Sequence, residues 1–82
     1  MMLYLIEYNR KQGRTVLWRT FSDDQRREAM AARLELELEC SRDGIDHEVV
    51  ILETDSFENL CRTHRRYTAS VPALLAGPNH DR

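Results

Sequence analysis

The sequence predicts an α+β fold of the order ββαβα. In this two-layer sandwich, two helices cover one face of a three-stranded, mainly antiparallel sheet. Three segments are rich in β-branched, aromatic and aliphatic residues, two others open with helix-capping residues, and polar stretches separate them. A chain of 82 residues is the size of one domain. We assign residues 1–68 to that domain and residues 69–82 to a flexible C-terminal tail.

The first two strands are expected to form an antiparallel hairpin. Residues 2–8 and 15–21 are mostly apolar and contain four aromatic side chains. The polar stretch 9–14 between them includes Gly13, which suits a hairpin loop.

The first helix is predicted over residues 23–43. Ser22 followed by Gln25 has the pattern of a capping box, and Gly44 stands where a left-handed residue ends a helix. The alternating leucines and glutamates of residues 34–40 would also fit a strand. Residues 24–44 contain no β-branched or aromatic residue, however, so the helix is favoured.

The third strand and the second helix follow in order. Residues 48–53 include four consecutive apolar side chains, and we expect this strand to lie beside the first one, giving the order 2-1-3. Asp55 or Ser56 can cap a helix that ends near Tyr67 or Thr68. The tail contains two prolines and a glycine and has little to bury.

The first helix is apolar on two opposite sides. At about 100° per residue, Ala29, Ala32, Leu36 and Cys40 share one side, whereas Met30, Leu34, Leu38 and Ala31 share the other. A helix that buries one face should show a single apolar stripe. With both helices on one face of the sheet, the opposite face would also stay open, and it carries large apolar side chains.

Exposed apolar surface of this size marks a partner site. We therefore expect a homo-oligomer, most simply a two-fold dimer. The predicted interface consists of Met30, Leu34, Leu38, Tyr4, Tyr8 and Trp18. The alternative is that the second helix and the tail cover one of these surfaces within the chain.

A second hypothesis concerns arginine, which occurs eleven times against a single lysine. Arginine binds phosphate well, and neighbouring aromatic rings could stack on bases. A phosphate or nucleic-acid patch would be formed by Arg62, Arg65 and Arg66 with Arg10, Lys11 and Arg14 of the hairpin loop. The net charge of −2 argues against it, and a solvated outer face is the simpler interpretation.

A third hypothesis places a reactive thiol or a metal site at Cys61 and His64, which are three residues apart, with Cys40 and His47 as further ligands. The spacing matches no zinc pattern, and packed core residues are the better interpretation. The sequence also lacks a nucleophile elbow and a His-Glu-x-x-His motif. We therefore expect no enzyme activity, no cofactor and no metal.

Composition favours a cytoplasmic protein without a membrane partner. Two cysteines are far fewer than small secreted scaffolds contain. The apolar residues 1–6 have no basic residue before them and are too few for a signal peptide or a bilayer span. The leading hypothesis is thus a small intracellular interaction module that associates with itself.

Overall fold

The computed structural model of the protein describes residues 1–69. Its elements in chain order are β1 (Met2–Asn9), β2 (Arg14–Ser22), α1 (Arg26–Asp43), β3 (His47–Thr54), α2 (Phe57–Thr63) and α3 (Arg65–Thr68). The sheet is antiparallel with the strand order β2-β1-β3. The α+β class, the three-stranded antiparallel sheet and its strand order are therefore confirmed. Apart from Ala69, the predicted flexible tail lies outside the described residues.

The β1–β2 hairpin closes through a loop that Asn9 organises. The Asn9 side-chain oxygen accepts hydrogen bonds from the backbone N–H groups of Lys11 and Gln12, both at 3.1 Å. Gly13 has a φ of +66°, in the left-handed region that glycine adopts without steric cost. Its N–H donates to the carbonyl of Asn9 at 2.8 Å. Three backbone N–H groups of the loop are thus bonded to Asn9.

Both ends of α1 follow the capping signals in the sequence. The Gln25 side chain accepts a hydrogen bond from the Ser22 N–H at 2.9 Å, and residues Asp23–Gln25 form one 3-10 turn before the α-helix starts. At the other end Gly44 has a φ of +67°. The N–H of Ile45 then donates to the carbonyl of Cys40 at 2.8 Å, which is the bond of a Schellman end.

The helices lie on opposite faces of the sheet, and here the prediction of two helices on one face was wrong. Leu3 and Leu5 of β1 belong to a core cluster with Ala29 and Cys40 of α1. The β1 residues between and beyond them pack instead against Leu60 of α2 and Tyr67 of α3. Because successive strand residues point to opposite faces, the sheet is the middle of three layers. The physical reason is that β1 is apolar on both sides, so each side needs its own cover.

The predicted second helix is two short helices with a break at His64. Ser56 caps α2 as expected, its hydroxyl accepting from the Asn59 N–H at 3.0 Å. His64 leaves the helical conformation with φ −130° and ψ 61°. The change of direction lets Tyr67 meet Tyr8 edge to face, with ring centroids 5.3 Å apart. The hydroxyl of Thr15 also donates to the Tyr67 carbonyl, which fastens α3 to β2.

Candidate functional site

The outer face of α1, which comprises Met30, Leu34 and Leu38, is the main exposed apolar surface of the described residues. These side chains are four residues apart and remain 51%, 56% and 57% exposed. The inner side of the helix buries Ala29 and Cys40 against the sheet. The helix therefore has two apolar sides, of which the fold uses one. The predicted interface residues on α1 are all available at the surface.

Charged residues of both signs flank this outer face. The helix carries four arginines against five acidic residues, a net charge of −1. Arg33 and Glu37 form an ion pair across one turn at 3.7 Å. Arg26 bonds to Glu53 of β3, whose carboxylate raises the pKa of that guanidinium. The surface around the apolar stripe is thus close to neutral and can meet a partner of either sign.

The second predicted interface surface is covered within the chain. Tyr4 and Tyr8 are buried, and Trp18 is half-buried. The ring of Phe57 from α2 lies 5.7 Å from the Trp18 ring and 6.5 Å from the Tyr4 ring, between centroids. The prediction that the tyrosines belong to an interface is therefore wrong, because α2 and α3 occupy the place where a partner was expected.

The predicted arginine patch is largely engaged in contacts within the protein. Arg66 bonds to both oxygens of Glu48 at 3.1 Å, and its guanidinium lies over the rings of Tyr8 and Tyr67 at 5.5 and 4.7 Å. Arg10 pairs with Asp46 at 2.8 Å. The structure thus brings a loop arginine and Arg66 to the same end of the sheet, where two acidic residues offset their charge.

The other members of that predicted patch are more dispersed. Arg14 bonds to the Gln12 side chain at 2.7 Å, and Arg62 bonds to Asn59 at 2.9 Å. Lys11 and Arg65 are exposed and form no ion pair with any residue in the range 1–69. A continuous cationic groove of the kind that follows a nucleic-acid backbone is not formed by these side chains.

The cysteines and histidines do not assemble as the third hypothesis required. Cys61 and His64 belong to the layer of α2 and α3, whereas Cys40 belongs to the core under α1. A different group comes together on the α1 side: Glu7, Cys40 and His47 place one potential ligand atom each within 4.8 Å of the others. It is the one such group of three among residues 1–69.

Glu7 was not recognised from the sequence, although a signal was present. It continues the series Leu3, Leu5 on the side of β1 that faces α1, so it is a carboxylate at a core-facing position of the central strand. Its side chain is 14% exposed and that of His47 is 18% exposed. A carboxylate so little exposed requires a partner. The His47 Nδ1 atom lies 2.6 Å from its Oε2 atom and supplies one.

The Cys40 thiol is the third member of this group. Its sulfur lies 3.7 Å from the same Glu7 oxygen. Burial raises the pKa of the thiol, and the negative charge of Glu7, with Glu39 and Asp43 farther along, raises that pKa further. The thiol is therefore held in its protonated form at neutral pH, and it is not an activated nucleophile.

No family model, curated protein or solved structure matches this chain. Within residues 1–69, no helix has the length and apolar character needed to cross a membrane. The class that the fold defines is a small three-layer α+β domain with an apolar outer helix face.

Proposed function

We propose that this protein is a small homodimeric interaction module whose two subunits meet through the outer face of α1. The observation that carries the proposal is the stripe of Met30, Leu34 and Leu38, each more than half exposed. A chain of 82 residues buries a small core, and association is one common way for such domains to gain stability. The proposed activity is binding, without catalysis.

A second copy of the chain fits this surface better than a strongly charged partner does. The stripe is flanked by nearly equal numbers of positive and negative residues, so it offers little attraction to a polyanion. In an antiparallel pair with the two-fold axis near Leu34, each subunit's Met30 meets the other's Leu38.

A reducing compartment such as the cytoplasm suits this module. Cys40 and Cys61 are both free thiols, and they lie in different layers of the fold, so neither stabilises the domain through a disulfide. Free thiols of this kind persist where glutathione and thioredoxin keep them reduced.

Leu34→Arg tests the proposed interface. Full burial of a leucine is worth about 1.5–3 kcal/mol, and 56% of Leu34 is still exposed in one subunit. Because a dimer contains two copies, the variant should lose about 1.5–3 kcal/mol of association energy. This loss corresponds to a Kd weakened by about 10- to 100-fold.

Sedimentation equilibrium from about 1 μM to about 1 mM would measure the Kd of the wild type and the variants. Ile45→Arg is the matched control, since Ile45 is an exposed apolar residue, 42% accessible, that lies beyond the end of α1. We expect the wild type and Ile45→Arg to give the same Kd and Leu34→Arg to give a Kd about 10- to 100-fold weaker. A monomeric wild type, or a dimer that Leu34→Arg leaves intact, for example one joined through the edge strand β3, contradicts the proposal.

A further inference from the structure

We propose that Glu7, Cys40 and His47 form a binding site for one divalent transition-metal ion of the zinc type. The site would use the Glu7 carboxylate, the Cys40 sulfur and the His47 Nδ1 atom as its three protein ligands. A water molecule would complete a four-coordinate shell, as in zinc sites with three protein ligands. This proposal is independent of self-association, because these three residues lie between α1 and the sheet and not on the outer face of α1.

The fold brings the three residues together from separate elements. In the β1–β3 register Glu7 pairs with Val49 and Asn9 with His47, so Glu7 and His47 are diagonal neighbours on one face of the sheet. Cys40 lies in the last turns of α1. Only three residues connect α1 to β3, and Gly44 reverses the chain among them. The short connection holds the end of α1 directly above the start of β3.

The spacing of the ligand atoms is close to that of a tetrahedral metal site. Bond lengths of about 2.0–2.3 Å imply ligand atoms about 3.3–3.7 Å apart. The distance from Cys40 Sγ to Glu7 Oε2 is 3.7 Å, which already fits. The His47 Nδ1 and Glu7 Oε2 atoms are 2.6 Å apart and must separate by about 0.8 Å to reach that range. Side-chain rotation supplies such a shift without moving the strands.

The chemistry of the three donors selects the class of ion. Calcium and magnesium prefer shells made of oxygen, whereas a thiolate with an imidazole favours zinc and its neighbours. On binding, a metal–sulfur bond replaces the S–H bond of Cys40 and the proton passes to solvent. The ion needs the lone pair of His47 Nδ1, so the neutral imidazole binds it as the tautomer that carries its proton on Nε2. Two positive charges are thereby added between a thiolate and a carboxylate that otherwise repel each other.

The first test uses the unmodified protein under reducing conditions. Titration with Zn²⁺ against a chromogenic chelator should give one ion bound per chain. Titration with Co²⁺ should produce the visible absorption of a tetrahedral site together with a thiolate-to-cobalt charge-transfer band in the near ultraviolet. Absence of stoichiometric Zn²⁺ binding, or a Co²⁺ spectrum without the thiolate band, would overturn the proposal. This readout does not depend on whether any variant folds.

The second test uses substitutions with an internal control. Cys40→Ser and His47→Ala should each weaken Zn²⁺ binding by about 100-fold or more, since loss of a mere outer-shell partner already costs about 10- to 100-fold. The paired control is Cys61→Ser and His64→Ala, which remove the same residue types from the other layer of the protein. Circular dichroism checks that each variant is folded. Equal losses in the control pair would show binding at the wrong residues and would reject the site.

Discussion

Leu60→Ala tests whether α2 covers the second face of the sheet. Leu60 is fully buried among Tyr4, Ile6, Tyr8 and Tyr67. The substitution removes three carbon atoms, worth about 0.8 kcal/mol each on transfer from water. The surroundings relax only partly around the cavity, so the total loss for a buried leucine is about 2–5 kcal/mol. A small domain has about 5–15 kcal/mol of stability in all, so this loss is a large part of it.

The same substitution at Leu38 provides the comparison. Leu38 is 57% exposed, so Leu38→Ala loses less than half of the transfer energy, about 1 kcal/mol, and alanine's higher helix propensity returns part of that. Urea unfolding at a concentration where the protein is monomeric would give the free energy of unfolding of both variants. If Leu60→Ala costs no more than Leu38→Ala, then α2 does not cover the sheet and the three-layer arrangement is incorrect.

Two further predictions concern Cys40 and Gly44. The pKa of the Cys40 thiol is raised in the folded state. The protonated thiol therefore contributes fully to the stability of the fold below about pH 8.5, the ordinary thiol pKa. That contribution is lost as the pH rises through the pKa of the folded state. Urea unfolding of the metal-free protein between about pH 7 and pH 10 should show stability falling with pH, and Cys40→Ala should remove that part of the fall. Gly44→Ala should cost about 1–2 kcal/mol, because the left-handed conformation strains a side chain although the added Cβ meets nothing within 4 Å. Thermal denaturation would measure that cost, and an unchanged melting temperature would contradict it.

Local signals in the sequence accounted for the elements and their ends. The capping box at Ser22 and the left-handed Gly44 bound α1 because both act through hydrogen bonds to residues at most five positions away. The two apolar sides of α1 could also be predicted from the sequence, since helical periodicity alone places Leu34 opposite Leu36. The break at His64 could not be predicted in this way, because it accompanies a contact between Tyr67 and Tyr8, which are far apart in the chain.

The candidate metal site also depends on contacts between residues that are far apart in the chain. His47 and Cys40 were identified as possible ligands, but they were grouped with Cys61 and His64, which lie in the other layer. The third member of the actual group, Glu7, is 33 residues from Cys40 and 40 from His47 in the chain. A carboxylate in an apolar strand indicates that some partner must exist. Only the pairing register of β1 with β3 determines which partner it is.

By itself the sequence determined the strands, the long helix and the presence of more apolar surface than one face could bury. These properties follow from side-chain periodicity and from turn and cap residues, which act over a few positions of the chain. The tertiary structure alone decided how that surface is divided: α2 and α3 cover Tyr4 and Tyr8, whereas Met30, Leu34 and Leu38 stay exposed. The reason is that a strand apolar on both sides can accept a helix on either one, and the choice depends on packing between residues far apart in the chain.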